Sequence, residues 1–171
     1  MFIYWLNIIF IFINKMNKGE VDCLFVGSDH AGFQLKEELL VYFSRMYPSK
    51  VIINLGVFSE VNSDYPDIVK DLKKGLSKLK KTVDYDHPLA ILIGATGIGM
   101  AIAANKIKPV RAAVCNDIDS VFSAVLHNNI NVLCIGKLSE HTMINVVEGF
   151  LKLEFENLPI HRQRIKKIHK I

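Results

Sequence analysis

The stretch that decides the fold is LAILIGATGIG, which spans residues 89–99. Its first five residues form an unbroken apolar run, a pattern typical of a strand buried on both faces of a parallel sheet. Three glycines follow within six residues, and an alanine-rich segment continues to Lys106. We therefore predict a strand, a tight loop and a helix, in which backbone N–H groups at the helix start can hold an anion. A loop of this kind does not by itself name its ligand.

The same strand–loop–helix unit recurs along the chain. Short apolar runs predict four further strands at residues 23–27, 51–55, 111–115 and 131–136. Each run is followed by apolar residues at the spacing of an amphipathic helix. This alternation predicts an α/β fold, in which helices cover both faces of a parallel sheet. Ligands of such folds bind where strands end and helices begin, so the residues just after each strand are the first candidates for a site.

The composition is that of one globular domain. The chain has 171 residues, 50% of them apolar, and a net charge of +4 from 21 Lys+Arg and 17 Asp+Glu. This apolar content excludes wholesale disorder, and the length suffices for a core without disulfides or a metal.

Three cysteines without a close pair or zinc spacing indicate reduced, packing thiols. The basic cluster at 161–170 either meets a phosphate or forms a solvated helix face, and no basic–aromatic stripe supports nucleic-acid binding.

The first residues pose a separate question. Residues 1–13 are apolar except for Asn7, yet a bilayer span needs about 20 such residues. The run is not preceded by a basic segment or followed by a small-residue cleavage site, so the pattern does not indicate a cleaved signal peptide. Three interpretations stay open: a protein that begins at Met16, an uncleaved targeting or anchoring segment, or a structured extension. We assign an apolar extension to 1–20 and the folded domain to 21–171.

A chain that begins at Met16 is expected to fold like the full chain. The polar residues 17–20 already lead into the first strand, so residues 1–15 should add no packing. Thermal unfolding of both forms checks this expectation. We expect melting temperatures within about 3 °C, which corresponds to about 1 kcal/mol for a domain of this size. A much larger loss on truncation would show that the apolar segment packs on the domain.

Several side chains after the predicted strands can take part in chemistry. Asp29 and His30 follow the first strand and are candidates for acid–base work or hydroxyl binding, although Asp29 can also simply cap the next helix. Tyr65 lies where a proline marks a helix start, and it can form the wall of a pocket. Thr96 places a hydroxyl at the centre of the glycine-rich loop, where the anion is a phosphate or a developing enediolate. His127, near a helix end, is an acid–base candidate or a partner of the helix dipole.

These motifs occur in one order along the chain. They are DHAG at 29–32, DYP at 64–66, GATGIGMAIAANK at 94–106, RAA at 111–113 and HNNINVL at 127–133. In this order they resemble the ribose-5-phosphate isomerase B family, which includes the galactose-6-phosphate isomerase subunits. The resemblance extends from about Cys23 to Ile168, and the combination of the third motif with the last is its most specific part.

The resemblance implies a fold, an assembly and a reaction. The fold is a Rossmann-like, three-layer α/β/α arrangement with a five-stranded parallel sheet in the order 2-1-3-4-5. The assembly is a homodimer or tetramer whose active sites are shared between subunits. The reaction is the isomerisation of ribose 5-phosphate to ribulose 5-phosphate through ring opening and a cis-enediol, without a metal or organic cofactor. The resemblance further implies a cytoplasmic enzyme of carbohydrate metabolism, in the pentose phosphate pathway, with no nucleic-acid or membrane partner.

The family's functional residues carry over onto matching positions. Those implied to act in catalysis are His127, which opens the sugar ring, Thr96 and Asp29. Those implied to bind the substrate are Asp29, His30, Tyr65, Ala95, Thr96, Gly97, Ile98, Gly99, Asn128, Lys137 and Arg164. Within this second group, the resemblance implies that the loop 95–99 holds the enediolate through its N–H groups and that Arg164 holds the phosphate.

Two positions depart from the family pattern where it places the base that moves the proton. Most members have a cysteine where this chain has Gly94, and another branch has a glutamate where it has Met100. A substitute base is then needed, and Asp29 or a residue of a partner subunit is the candidate. The alternative is a catalytically impaired sugar-phosphate-binding protein or a regulatory partner subunit of the same family.

Two further departures affect the expected phosphate site. Leu138 and Ile160 stand where the family has arginines. Lys137 and Arg162 lie next to these positions in the sequence and are the candidate substitutes. Arg164 is the family arginine that is retained in place.

Overall fold

The computed structural model describes residues 23–79 and 85–171. The apolar extension assigned to 1–20 and the expectation for residues 1–15 lie outside the described residues. The strands are β1 (Cys23–Ser28), β2 (Val51–Gly56), β3 (Ala90–Ile93), β4 (Ala112–Val114) and β5 (Val132–Ile135). The helices are α1 (Phe33–Met46), α2 (Tyr65–Lys78), α3 (Ile98–Ala104), α4 (Ile118–Asn128), α5 (Glu140–Lys152) and α6 (Pro159–Ile168). Within the described ranges, no helix has the length and apolar character needed to cross a membrane.

The five strands form one parallel sheet in the order β2-β1-β3-β5-β4. The predicted α/β class and the parallel five-stranded sheet are therefore confirmed. The predicted order 2-1-3-4-5 is wrong for the last two strands. β4 consists of two alanines and a valine that remain partly exposed, whereas all four residues of β5 are buried. The strand with larger apolar side chains thus takes the interior position, and the small one lies at the edge.

The direction of each connection decides which face its helix covers. Parallel strands are joined by right-handed crossovers, so a connection that runs back along the sheet places its helix on the opposite face. The β1–β2 and β4–β5 connections run in one direction along the sheet, and the β2–β3 and β3–β4 connections run in the other. Consequently α1, α4 and α5 pack on one face of the sheet, and α2 and α3 pack on the other.

Each face of the sheet has its own apolar core. In β3, Ala90 and Leu92 pack against the layer of α2 and α3, while Ile91 and Ile93 pack against the opposite layer. All four side chains are fully buried. This explains why an uninterrupted apolar run was needed, since neighbouring residues of a strand point to opposite faces.

Arg111 organises the edge at which the strands begin, called the amino edge below. Its guanidinium is buried and donates to the carbonyl oxygens of Asn129 and Tyr85. The side chain of Asn131 accepts from the Arg111 N–H at 2.8 Å, and its carbonyl accepts from the Leu89 N–H, also at 2.8 Å. These bonds tie the residues after α4 to the start of β3 and β4. The C-terminal end of α4 therefore lies at the amino edge.

Candidate active site

The glycine-rich loop leaves β3 at the opposite edge of the sheet, where the strands end (the carboxyl edge). Gly97 has a φ of +76°, and a Cβ at this residue would lie 3.0 Å from the carbonyl carbon of Ile135. Both the backbone conformation and the close approach to β5 therefore require glycine. The Thr96 hydroxyl accepts from the Ile98 N–H at 3.3 Å. Ala95 and Thr96 are exposed, so the outer side of the loop is open to a ligand.

Asp29 lies at the carboxyl edge of β1, directly beside this loop. Its Oδ1 accepts from the N–H groups of Ala31 and Gly32 at 3.0 and 3.1 Å, so the side chain does cap the short turn before α1. Its second oxygen points elsewhere: Oδ2 lies 3.2 Å from the point where a Cβ of Gly94 would stand. Capping and chemistry are therefore compatible, because each uses a different oxygen of one carboxylate.

The two positions that depart from the family pattern meet at this point. Met100 is buried, and its Cγ lies 3.6 Å from the same Cβ position at Gly94. The three atoms nearest to that point belong to Asp29 and Met100. A cysteine at position 94 would place its side chain in the space beside Gly94. This space is bordered by the side chain of Met100 and by the carboxylate of Asp29. A carboxylate is the group there that can accept a proton.

A thiol does not substitute for the missing base in this region. Cys115 follows β4 at the carboxyl edge, but burial raises the pKa of its thiol to about 11. Burial raises the pKa of Cys134, within β5, as well. Cys115 and Cys134 are buried free thiols. Cys115 and Cys134 therefore stay protonated near neutral pH and act as packing residues.

His30 and Tyr65 lie near the loop, His30 next to Asp29 in the sequence and Tyr65 against Gly99. The His30 backbone N–H donates to the Ser63 hydroxyl at 3.0 Å, and the Ser63 N–H donates to His30 Nδ1 at 3.2 Å. The ring of Tyr65 lies over Gly99, where a Cβ would stand 2.8 Å from the tyrosine Cζ. Tyr65 is 40% exposed, so the ring forms a wall with its outer face free.

Lys137 joins this group from β5. Its N–H donates to the Ala95 carbonyl at 3.3 Å, which places the start of the β5–α5 connection beside the loop. Lys137, Leu138 and His30 line one shallow pocket at the carboxyl edge. The structure thus brings together Asp29, His30, Tyr65, the loop 95–99 and Lys137 at the carboxyl edge.

The other predicted residues lie at the opposite end of the sheet. His127 and Asn128 form the last turn of α4, which ends at the amino edge, and the Asn128 side chain donates to the Ser123 carbonyl at 3.2 Å. Arg164 and Arg162 are exposed on α6, which packs beside α4. One chain therefore does not unite these residues with Asp29 and the loop, because a helix that follows a strand carries the chain back across the sheet.

Sequence reasoning missed two residues beside His127. The ring of His161 stacks on the ring of His127, with centroids 4.7 Å apart and planes 15° apart. His161 Nε2 lies 3.6 Å from an oxygen of Glu156. In the sequence, His161 stands out only as the first residue of the basic cluster at 161–170. The usable signal was its spacing of four residues from Ile165, since both form the buried face of α6.

The sequence as a whole matches the family described as ribose/galactose isomerase over residues 24–168. The chain belongs to this family. The probable ribose-5-phosphate isomerase B of Mycoplasma genitalium is 37% identical over 150 residues, 85% of this chain and 92% of that protein. The D-erythrulose-4-phosphate isomerase 2 of Mycolicibacterium smegmatis is 33% identical over 134 residues, 77% of this chain and 84% of that protein.

The fold agrees with solved structures of the ribose/galactose isomerase family. A ribose 5-phosphate isomerase from Thermotoga maritima is 34% identical and has a TM-score of 0.74, with 87% of this chain and 98% of that chain covered. The resemblance drawn from the ordered motifs is thereby confirmed, and the chain is a relative of sugar-phosphate isomerases. The roles of individual site residues stay predictions.

Proposed function

We propose that the protein isomerises a phosphorylated aldose to the ketose, with ribose 5-phosphate and ribulose 5-phosphate as the pair. The observation that carries the proposal is the position of Asp29 Oδ2 next to Gly94, where the family pattern has its base. The open loop 95–99 lies beside the same oxygen. Formation of an enediolate requires two things at the same place: a base that takes the proton, and N–H donors that stabilise the developing oxygen charge.

Ring opening precedes proton transfer in the proposed mechanism. In the furanose form, C1 carries a hydroxyl and is bonded to O4. His127 donates a proton to O4 as the C1–O4 bond breaks, and the C1 hydroxyl gives its proton to solvent water as it becomes the aldehyde. Solvent water then returns a proton to His127. Since His127 lies at the amino edge, it acts in the site of a second copy of the chain. The functional unit is therefore a homodimer or a tetramer built from such dimers.

Proton transfer then occurs beside Gly94. Asp29 Oδ2 takes the proton from C2, the C–H electrons form a C1–C2 double bond, and the oxygen on C1 becomes the enediolate oxygen. Backbone N–H groups of the loop 95–99 stabilise this oxygen, and the Thr96 hydroxyl lies beside them. Asp29 exchanges its proton with solvent and delivers a proton to C1 while a proton passes from O2 to O1, which leaves the ketone at C2. No group outside the site is consumed.

Substrate binding in this proposal uses both edges of the sheet. His30, Tyr65 and Lys137 contact the sugar from the chain that supplies Asp29. Asn128 and Arg164 reach it from the second copy, and Arg164 holds the phosphate. The corresponding biological role is carbohydrate metabolism in the cytoplasm, in the pentose phosphate pathway.

A binding or regulatory protein of the same family is the second candidate. The observation that favours it is the pair Gly94 and Met100, because neither side chain can accept a proton. If Asp29 only caps the turn before α1, the site would still bind a sugar phosphate and open its ring. The two candidates differ in proton transfer alone, so the decisive measurement must report that step.

Assays of the purified full chain with ribose 5-phosphate in H2O and in D2O distinguish the two functions. An isomerase forms ribulose 5-phosphate at a rate of about 10 per second, as ordinary enzymes do, and it incorporates deuterium from the solvent. Calorimetric binding without turnover or deuterium incorporation would favour the binding protein. Neither binding nor turnover with ribose 5-phosphate or galactose 6-phosphate would contradict both.

Arg164→Ala is expected to weaken binding of ribose 5-phosphate by about 1.5–3 kcal/mol, the range for a hydrogen bond to a charged group. The alanine removes a guanidinium that can donate two parallel hydrogen bonds to the phosphate. A neighbouring lysine does not replace this pair, because its ammonium acts as a point charge. Calorimetry with the parent and the variant measures the difference. Lys166→Ala removes one positive charge from an exposed position of the same helix and serves as the control. Equal affinity in the Arg164 variant and the parent would remove Arg164 from the site.

A further inference from the structure

A second imidazole supports the histidine to which ring opening is assigned. His161 is only 9% exposed, although most of α6 faces solvent. Its ring covers one face of the His127 ring at a centroid distance of 4.7 Å. Its Nε2 faces a Glu156 oxygen at 3.6 Å, and the Glu156 N–H donates to the Leu126 carbonyl at 3.2 Å. The three residues thus form one contiguous group at the end of α4.

These side chains also offer the donors of a metal site, and their geometry argues against that use. One atom from each of His127, Glu156 and His161 lies within 4.8 Å of the others, and two imidazoles with a carboxylate are a known zinc donor set. An imidazole binds a metal along a lone pair in the plane of its ring. Because the two rings are stacked with planes only 15° apart, a metal in the plane of one lies outside the plane of the other. The group is a stacked pair rather than a chelate.

We propose that His161, held by Glu156, is a positioning residue that fixes the ring plane of His127 for ring opening. This inference rests on the proposed function. His127 is exposed at the last turn of a helix, where its side chain can otherwise rotate. Proton transfer to O4 requires the donor nitrogen and its N–H direction to be aligned with that atom, and a misplacement of about 1 Å can cost about 10²-fold in rate. The buried face of His161 limits His127 to one ring plane.

The inference makes a prediction that depends on the substrate. A furanose must be opened before isomerisation, whereas a tetrose 4-phosphate carries its phosphate on O4 and cannot close a furanose ring. Tetrose phosphates therefore need the loop and the base but not His127. A relative is named for D-erythrulose 4-phosphate, so the family includes a protein whose name refers to such a sugar. A residue that only supports the fold would affect both substrates alike.

Kinetics of the full chain with both substrates test the role of His161. His161→Ala is expected to lower turnover of ribose 5-phosphate by about tenfold or more, while turnover of erythrose 4-phosphate changes by less than about twofold. His161→Phe keeps a flat ring against His127 and should recover most of the loss. Gln163→Ala, on the exposed side of α6, is the control and should leave both rates unchanged. Equal losses on both substrates, or a phenylalanine variant as slow as the alanine variant, would overturn the inference.

A second measurement reports the stack without any turnover. The ring protons of His127 should show a ring-current displacement in NMR spectra that disappears in His161→Ala and persists in His161→Phe. Identical His127 signals in the parent and both variants would contradict the stacking. Titration with Zn²⁺ tests the alternative that His127, Glu156 and His161 form a metal site. Stoichiometric zinc binding that is lost in His161→Ala would replace the positioning role by a metal site. An inactive parent chain with an intact stack would instead contradict the proposed function.

Discussion

Asp29→Asn is expected to lower the isomerisation rate by about 10²- to 10⁴-fold, the contribution of a general base. The amide keeps an oxygen that accepts from the Ala31 and Gly32 N–H groups, so the turn after β1 remains capped. It cannot accept a proton beside Gly94. Turnover of ribose 5-phosphate and deuterium incorporation measure the loss, and thermal unfolding checks that the variant folds. Turnover equal to that of the parent would contradict the role of Asp29 as the base.

A cysteine at position 94 should restore part of the activity of that variant. The backbone of Gly94, unlike that of Gly97, is not left-handed, and its nearest neighbours would be 3.2 and 3.6 Å from a Cβ. A side chain therefore fits with a small shift of residue 29. In Asp29→Asn/Gly94→Cys, only the thiolate can take the proton from C2. The restored rate should rise with pH through the thiol pKa, which is about 8.5 for an unperturbed cysteine.

Gly94→Cys with Asp29 in place is the matched comparison. A carboxylate next to the thiol disfavours the thiolate and raises the thiol pKa. The cysteine should therefore contribute less at neutral pH when Asp29 is present than when asparagine replaces it. A double variant no faster than Asp29→Asn would show that position 94 does not reach C2 of the sugar.

Gly97→Ala is expected to lower kcat by about 10²- to 10³-fold, as the loss of an oxyanion donor does. At a φ of +76°, a Cβ would lie 3.0–3.1 Å from backbone atoms of Ile135, so the loop must move away from β5. The left-handed backbone costs a further 1–2 kcal/mol of stability, roughly, for a residue with a Cβ. Steady-state kinetics and thermal unfolding measure the two effects separately.

Gly149→Ala is the control for this substitution. Gly149 lies within α5, and the nearest atoms to an added Cβ are the ends of the Ile118 and Val121 side chains, which can move. The same chemical change is therefore expected to leave kcat unaltered. A Gly97 variant with the kcat of the parent would show that the loop does not hold the developing oxyanion.

Most secondary structure could be predicted because its causes are local. Pro48 ends α1 at Met46, and the alternation of apolar runs with helical spacing located all five strands. The order of the strands could not be predicted in full. It depends on which of two short strands, β4 or β5, buries more side chain against helices far away in the sequence. That comparison becomes visible only in the assembled sheet, where β5, with its larger apolar side chains, lies inside and the alanine-rich β4 lies at the edge.

In the candidate site, too, some features could be predicted from the sequence and others depend on the fold. The residue types and their places after strands selected Asp29 and Thr96 as candidates, and the resemblance to the family selected His127. They did not show that Asp29 Oδ2 fills the space beside Gly94, because 65 residues separate the two positions along the chain. Nor did they show the support that His161 gives to His127, since a histidine in a basic segment has no sequence feature that distinguishes a buried ring from a solvated one.

The sequence alone determined the α/β class, the glycine-rich loop and the family, because these depend on periodicity and on ordered motifs. Tertiary structure decided the strand order, the contact of Asp29 with position 94, and the separation of His127 from the loop at opposite edges of the sheet. The physical reason is that periodicity records which face of an element is buried. Which elements become neighbours depends on competition among long-range packing partners, and that competition is resolved only when the chain is folded.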